Sequence, residues 1–562
     1  MFLVTFIGTL SVLVMAIVGV AFNPKRVALF AISYAAYYFL AILAVFIFMP
    51  SKTVLSLVEF NFFAGILFLP IVSMIGFKQE IHSKYVSSIF GTLLAVLFIV
   101  GVFGSIQTHL GVKPVYQSLK VKTLKSAPLL DKKETPIAIA PKTVRNKMNK
   151  AMSSVPNTSY YRLGDLQTQV VDGHAVYIAP VEFDGFWRWQ RAHTTPGYFM
   201  IDATNINAEP KFVKKSMKYT PSAYFNDDAQ RVIYNRYPEW VQEGNPQLEV
   251  DDQGEPYFIQ TVYKARGITK RINYNSLHVV VLNSRNGATK MYTTQNAPKF
   301  INESIGSSTA AEMNKVFGKY AYGFWNAHFN KTDVKLPNNN GTEDGVTPVV
   351  DKHGNIYYFN DFTSPKSDAD STMGYSMINA RTGELTYYTG KNIGVMDSDG
   401  AKKIADKEYV AQKWRATMPI MYNIDGTPTW VVSLLDSTGA FRSYAYIKAA
   451  DQSVKAYSTT ATDALDQYRV QLATTGSTAG STGNSKAIKI DGKVERVAIV
   501  PNGSSQSVIF TLKGNKNLWT VGTDDYPKAV LLKAGDKVKI TATVNKAAKT
   551  GTVQEFRNQT FM

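Results

Sequence analysis

Seven histidines (His82, His109, His174, His193, His278, His328 and His353) are the chain's only imidazoles, and each stands alone. No H-E-x-x-H pair, G-x-S-x-G elbow or Walker glycine loop is present. Asp227 with Asp228, Asp368 with Asp370, and Glu343 with Asp344 could be paired as acid and base, each as local neighbours. Nothing fixes the separation that a general acid and a general base need, so surface loops are the favoured reading of all three. The run Asn338–Gly341 lacks the alternating acids of a calcium loop and reads as a turn. Cysteine is absent, which excludes disulfides, thiolate metal ligands and a thiol nucleophile. These residues predict no catalytic centre, no metal and no cofactor, and the chain reads as a binding protein rather than an enzyme.

Binding chemistry has better candidates. Phe186-Trp187-Arg188-Trp189 joins aromatic faces to a guanidinium, a composition suited to stacking on sugars or gripping a peptide. As a strand, however, this run places Trp187 and Trp189 on one face, and burial together is the favoured reading. Near the C-terminus, Phe510, Trp519 and Tyr526 interleave with Lys513, Lys516, Lys528 and Lys533, as a basic stacking platform for a polyanion would.

The formal charge of +18 is unevenly spread. Residues 151–485 carry 33 basic and 33 acidic side chains, whereas 107–150 carry 10 and 2, and 486–562 carry 13 and 6. A global argument from basicity to nucleic acid therefore fails.

The elements that position these residues repeat. Glycine is followed four residues later by an aromatic at Gly173/Tyr177, Gly254/Phe258, Gly354/Tyr358 and Gly426/Trp430. An acid precedes each glycine (Asp172, Asp252, Asp351, Asp425), a hairpin signal. Downstream of each pair comes an aliphatic, a polar residue, then Ala or Ser: Ile201-Asp202-Ala203, Leu282-Asn283-Ser284, Ile378-Asn379-Ala380 and Ile447-Lys448-Ala449. Upstream lie helix-like stretches at 142–155, 222–234, 309–320 and 401–415, the third with capping-box spacing from Thr309 to Glu312. The unit is one helix followed by about three antiparallel strands, met four times. Asn379-Ala380-Arg381-Thr382-Gly383-Glu384 turns tightly at Thr382-Gly383.

This unit resembles the PepSY domain, a small extracytoplasmic helix-plus-sheet module with a D-A-x-T-G-E turn near its end. Asn379–Glu384 is the nearest match and Asp202-Ala203-Thr204-Asn205 the next; the fourth copy carries Lys448 where the acid belongs. The resemblance implies non-catalytic binding to a peptidase or other envelope enzyme that is restrained or localised. It nominates Tyr358, Asn379, Gly383 and Tyr387 as contacts, with a sheet edge or helix–sheet groove as the surface.

Ahead of the repeats lie four apolar runs, Phe2–Phe22, Val27–Met49, Val54–Phe77 and Ile89–Ile106, each about the ~20 residues that cross a bilayer. Lys25, Arg26, Lys78 and Lys84 follow the odd-numbered runs, and only Lys52 lies between the second and third. That bias predicts the N-terminus and the C-terminal domains outside. Glu59 and Asn61 are intramembrane polar candidates, although Glu59 is close enough to the end of its run to reach the interface. Gln107–Lys150, with Lys113, Lys120, Lys122 and Lys125, reads as a basic stalk, and Ala473–Ser485 as a flexible linker. Beyond it, Gly535-Asp536-Lys537-Val538-Lys539-Ile540 resembles the strand entry common in OB-fold barrels.

The resulting expectation is a multidomain α+β chain: four transmembrane helices (1–106), a basic stalk (107–141), four PepSY-like repeats (142–220, 221–306, 307–397, 398–472), a linker (473–485) and an OB-like β-barrel (486–562). The expected protein is a multi-pass membrane protein of the cell envelope. Its partners are the lipid bilayer and an extracytoplasmic protein or anionic wall polymer. The alternative is a membrane-anchored nucleic-acid-binding factor acting through the barrel.

Overall fold

In the computed structural model, residues 6–61 and 92–128 are described in part. So is 139–560, apart from 266–270, 339–344, 366–370, 390–394, 475–486, 503–504, 524–525 and 546–549. The N-terminal region corrects the four-helix expectation. Helix α1 (Leu10–Phe22) has 13 residues, about 20 Å, short of the ~30 Å hydrocarbon core. Helix α2 (Val27–Phe48) continues a turn that begins at Pro24. Pro24–Phe48 is the one helix among the described residues long and apolar enough to cross a membrane. An apolar run is not the same as a helix of that length: Pro24 opens a short 3-10 turn between the two helices. α1 folds back antiparallel on α2, with Phe6 against Tyr38 and Thr9 Oγ1 2.9 Å from the Tyr34 hydroxyl. Most of the third and fourth runs, Glu59 included, lies outside the described residues.

Each of the four repeated units is a helix followed by an antiparallel sheet, of four strands in units 2 and 4 and five in units 1 and 3, more than the sequence signals. Unit 1 has α4 (Pro141–Ala151) and β2 (Tyr161–Leu163), β3 (Gln167–Val171), β4 (His174–Phe183), β5 (Thr195–Asp202) and β6 (Lys211–Met217). Here β2 and β3 share one edge of β4. Between β4 and β5 lies α5 (Phe186–Ala192), a helix where a strand was expected. Unit 2 has α6 (Ala229–Arg236) and β7 (Val241–Val250), β8 (Pro256–Tyr263), β9 (His278–Asn283) and β10 (Thr289–Thr293).

Unit 3 has α7 (Ser307–Lys319), β11 (Leu336–Pro337), β12 (Thr347–Val350), β13 (Ile356–Thr363), β14 (Thr372–Asn379) and β15 (Leu385–Thr389). Unit 4 has α8 (Ser398–Glu408), β16 (Arg415–Ile424), β17 (Thr427–Leu435), β18 (Phe441–Lys448), β19 (Lys455–Ser458) and a further helix, α9 (Ala461–Thr474). α9 takes the first two residues of the expected linker.

The Asp-Gly signals fold as read. Asp172 and Gly173, and likewise Asp425 and Gly426, both have positive φ, the two-residue turn whose twist matches its strands. In units 2 and 3, Asp251 and Asp351 instead accept backbone N–H bonds from residues two and four ahead. Helix starts are less faithful. Asp228 and Asp397 cap α6 and α8, but α7 begins two residues before Thr309, which is buried inside it and caps nothing.

The units share their cores in succession. In β4 and β5, Val176, Ile178 and Tyr198 pack on α6 and the unit 2 sheet, while Tyr177, Ala179, Phe199 and Ile201 pack on α4. α7 lies between Leu277 and Tyr263 of unit 2 and Tyr358, Phe362 and Leu385 of its own sheet. α8 sits against Phe359, Tyr375 and Met377 of unit 3 and Trp430 and Val432 of unit 4. Unit 4 then returns to unit 1: Thr143 Oγ1 donates to the Gly439 carbonyl (3.0 Å) and Asn146 Nδ2 to that of Thr438 (2.6 Å). The four units form a closed ring.

The expected stalk is folded onto this ring. Helix α3 (Val112–Gln117) packs on α7, and β1 (Val121–Leu124) adds to β15 in parallel as an edge strand. Ala127 then accepts from Asn423 of unit 4, and Ile139 is buried in unit 1. Beyond α9, β20 (Ala487–Asn502), β21 (Ser505–Leu512), β22 (Leu518–Gly522), β23 (Lys537–Asn545) and β24 (Thr550–Asn558) pair in the cyclic order β20-β21-β22-β24-β23, with β22 and β24 parallel.

Gly383 shows how tightly successive units fit. Its φ is 73°, and a Cβ there would lie 2.4 Å from Ile305 Cδ1 at the unit 2–unit 3 junction. Gly383→Ala is expected to cost at least the ~1–2 kcal/mol of a left-handed alanine. Thermal unfolding of the purified chain measures this, and an unchanged midpoint would show that the turn does not bear on the junction.

Candidate functional site

The residues nominated by the repeat motif are structural. Tyr358 and Tyr387 are 2% and 6% exposed, inside the core that α7 covers. The Tyr387 hydroxyl donates to the Met373 carbonyl (2.5 Å). Asn379 Oδ1 accepts from the amides of Arg381 and Thr382, building the turn that Gly383 completes. Arg381 then reaches the carbonyls of Ala297, Pro298 and Ile301. The motif is a clasp between units 2 and 3, and its contact is another part of the same chain. All four nominations as external contacts are thereby corrected.

The barrel candidates divide by burial. Phe510 and Trp519 are 1% and 0% exposed and fill the barrel, and Tyr526 leans on Phe556 at its edge. A small barrel needs those rings as core. Lys513 and Lys528 are exposed, so the basic residues are displayed without the stacking rings. Asn61, in the third apolar run, is buried and accepts from the Tyr37 hydroxyl of α2 (2.8 Å), a tie between helices. Trp187 is 73% exposed on α5 and Trp189 half-buried beside it, so their joint burial on a strand is also corrected. Of the acidic pairs, Asp227 meets Lys218 at 3.5 Å and Asp228 caps α6; Glu343, Asp344, Asp368 and Asp370 lie outside the described residues. No group of three metal-ligating side chains occurs among the described residues.

What the sequence did not signal is a cleft at the closing junction. Between α4, the 204–207 turn, the β17–β18 hairpin and the start of α9 lies an open volume of about 1170 Å³. Lys147, Lys150 and Arg442 line it, with Asn146, Asn149, Asn205, Thr438 and Thr460 among the amides and hydroxyls. No Asp or Glu is among its lining residues. The fold fixes two of the cations. Lys147 Nζ donates to the carbonyls of Ile206 (2.9 Å) and Ala208 (2.7 Å), pinning the 204–207 turn to α4. Arg442 is gripped by Asp436 through Nε (2.9 Å) and Nη2 (2.5 Å). Asp436 is held well below the usual carboxylate range by the Thr438 hydroxyl and then by Arg442, so this pair stays charged. Lys150 is exposed at the rim. Lys147 also meets Glu209 at 3.6 Å, so two of the three cations are matched by acids just outside the lining. The arrangement offers hydrogen-bonding groups, with the exposed Lys150 beside them, to a polar, anionic ligand.

At the apolar junctions the ionisable groups behave differently. Asp361, on β13, accepts from the Ser398 amide at the start of α8 (3.0 Å), and burial pushes its carboxyl up to about 7. Glu249 accepts from the amides of Asn302 and Glu303 (both 2.8 Å) and is raised to about 8, again chiefly by burial.

No family model matches the chain, and no curated protein matches it. Among solved structures, cobalt-substituted Synechocystis ACO is similar at a TM-score of 0.16 and 8% identity, over 52% of this chain and 48% of that one. A mutant of the same protein gives the same figures. This chain thus spans about half the length of those chains, and a likeness so low carries no argument.

The raised carboxyls give a signed prediction. Asp361 binds its proton more tightly folded than unfolded, so the stability tied to its neutral form is complete below its ordinary value of 3.8. That stability is lost as pH rises through about 7. Melting temperature is expected to fall between about pH 4 and 7, and Asp361→Asn, which keeps an acceptor for Ser398, to fall less steeply. Equal slopes in a pH series of melting curves would count against this.

Proposed function

We propose that this protein is a membrane-anchored, non-catalytic binding platform of the cell envelope, whose ring displays the unit 4–unit 1 cleft to an anionic wall polymer. The observation that carries the reading is the cleft's lining: Lys147, Lys150 and Arg442 among amides and hydroxyls, the acids that meet Lys147 and Arg442 (Glu209 and Asp436) lying outside that lining. A repeating phosphate or uronate chain matches that chemistry. Its charges meet ammonium and guanidinium groups, and its hydroxyls meet Asn and Thr.

The anchoring half rests on Pro24–Phe48, and the extracytoplasmic placement on Lys25 and Arg26 at the start of that one helix against Lys52 beyond its end. The PepSY resemblance supports the non-catalytic half, since it implies a module that holds or localises an envelope component. In this reading the four modules contribute a rigid ring, and contact with the partner falls where the ring closes, rather than on each hairpin.

The test is titration of the full-length protein, reconstituted in lipid nanodiscs, with poly(glycerol phosphate) oligomers. Binding is expected to weaken as salt rises, and Lys150→Glu with Arg442→Glu to reduce affinity about tenfold or more, the loss of two charge-assisted contacts. Equal affinity of the double variant and the parent would remove the cleft from the binding surface.

A further inference from the structure

Two clusters of exposed aromatic side chains remain outside the cleft and the ring junctions. The first gathers Phe186, Trp187 and Trp189 of α5 with Tyr224 and Phe225 just ahead of α6. Phe186 lies 5.2 Å from Tyr224 and Trp189 5.8 Å from Phe225, ring centre to ring centre. Trp187 is 73% and Phe225 52% exposed, and Arg188 and Arg191 flank them. The second lies on the Gly323–Asn330 turn after α7, where Trp325 stacks on Phe329 at 5.6 Å. These two are 61% and 70% exposed, beside an exposed Tyr322. Rings exposed in this way serve no core, and each cluster exceeds the scattered apolar residues of an ordinary surface.

Both clusters sit where the apolar N-terminal region meets the ring. The chain leaving α2 runs alongside α6 in the same direction. The Phe46 carbonyl accepts from Arg231 (2.5 Å), that of Pro50 from Tyr234 (2.6 Å), and the Lys52 amide donates to the Pro238 carbonyl (2.6 Å). Followed backwards, that register carries α2 from Arg231 towards Asp228 and then Phe225. Phe39, Leu40 and Leu43 of α2, ahead of Phe46 in the chain as Phe225 is ahead of Arg231, are exposed. The second cluster has the same relation to the end of the fourth apolar run. His109 stacks on Phe324 with ring centres 3.9 Å apart, three residues after the exposed Ile106 and one before the exposed Leu110.

We propose that these two clusters are a second point of membrane attachment, seating the ring on the bilayer through the headgroup region around the apolar N-terminal segments. Trp, Tyr and Phe beside Arg and Lys is the composition that partitions to that interface, where rings meet acyl chains and cations meet phosphates. With contacts at units 1–2 and at unit 3, the ring is held at two separated points and cannot swing about α2. This inference rests on the membrane-anchored reading of the chain.

The absence of cysteine makes the test direct. Single-cysteine variants Trp187→Cys, Phe329→Cys, Val410→Cys and Phe39→Cys of the full chain are labelled with an environment-sensitive fluorophore and placed in nanodiscs of mixed phosphatidylcholine and phosphatidylglycerol. Position 410, exposed on unit 4, is the aqueous reference, and position 39 reports on the anchor. Labels at 187 and 329 are expected to be quenched by shallow spin-labelled lipid and to lose iodide quenching by about threefold or more relative to 410. Iodide access at 187 and 329 equal to that at 410, with 39 in lipid, would overturn this proposal alone and leave the rings to a protein or glycan. A lipid signal at only one cluster would overturn the two-point seating. Iodide access at 39 would remove the anchor, and this inference with it.

Discussion

The ring depends on sheets that are apolar on both faces. Along β4, β5, β13 and β14, alternate residues feed two different cores, so no unit can satisfy its own sheet alone. One face is covered within the unit and the other by the helix and sheet of the next. Burying an aromatic such as Tyr198, Phe359 or Trp430 is worth roughly 1.5–3 kcal/mol each, and in this protein that gain is realised only when successive units dock. Folding of the units is therefore coupled. The polar devices at the junctions add register to this apolar attraction. Gln169 exchanges two hydrogen bonds with the Val250 backbone, Arg381 collects three carbonyls, and Asp361 meets the first turn of α8.

The same constraint explains why the closing junction differs. Unit 1 has no preceding unit in the chain, and its α4 meets unit 4 through Thr143, Asn146 and a glycine turn rather than through an apolar helix face. A Cβ at Gly439 would lie 2.7 Å from Asn146 Nδ2, so the backbone approach is close, but the space left between the two units is open and lined by Asn, Thr, Lys and Arg side chains as well as apolar ones. Of the stretch ahead of α4, β1 pairs with unit 3, Ala127 accepts from Asn423 of unit 4, and Ile139 is buried in unit 1. A seam held by hydrogen bonds can stay open to a ligand, whereas the three oily junctions cannot.

The repeat was legible because its signals are local. An Asp-Gly turn, an aromatic at a fixed offset and a helix ahead of them are written within a few dozen residues, and all four copies fold accordingly. What was not legible is what those residues touch. Tyr358, Tyr387, Phe510 and Trp519 have compositions suited to recognition, yet all are interior, because a small sheet or barrel needs large rings for its own core. Gly383 and Arg381 read as a surface hairpin, but their partners lie some 80 residues earlier at Ala297–Ile301. Trp187 failed in the opposite sense: strand alternation assigned it to a core, and the backbone turned into a helix that leaves it exposed. The cleft could not be seen at all, since its two halves are nearly 300 residues apart and meet only when the ring closes.

The N-terminal region shows the same limit from another direction. Hydropathy reads the length of an apolar run but not where its helix begins. Pro24, lacking an amide hydrogen, leaves a 13-residue α1 folded back on α2 rather than a second span of equal length. Asn61 then ties to Tyr37, spending polar groups on helix packing where a transport path would keep them accessible. Pro24–Phe48, the one such helix among the described residues, gives one tether, and one tether leaves a ring of this size free to tilt. The exposed rings beside α2 and His109 supply what the tether lacks, and they do so only if the face bearing them meets the bilayer. The orientation of the ring then decides which way the polar cleft opens, so membrane seating and ligand capture become two consequences of one geometry.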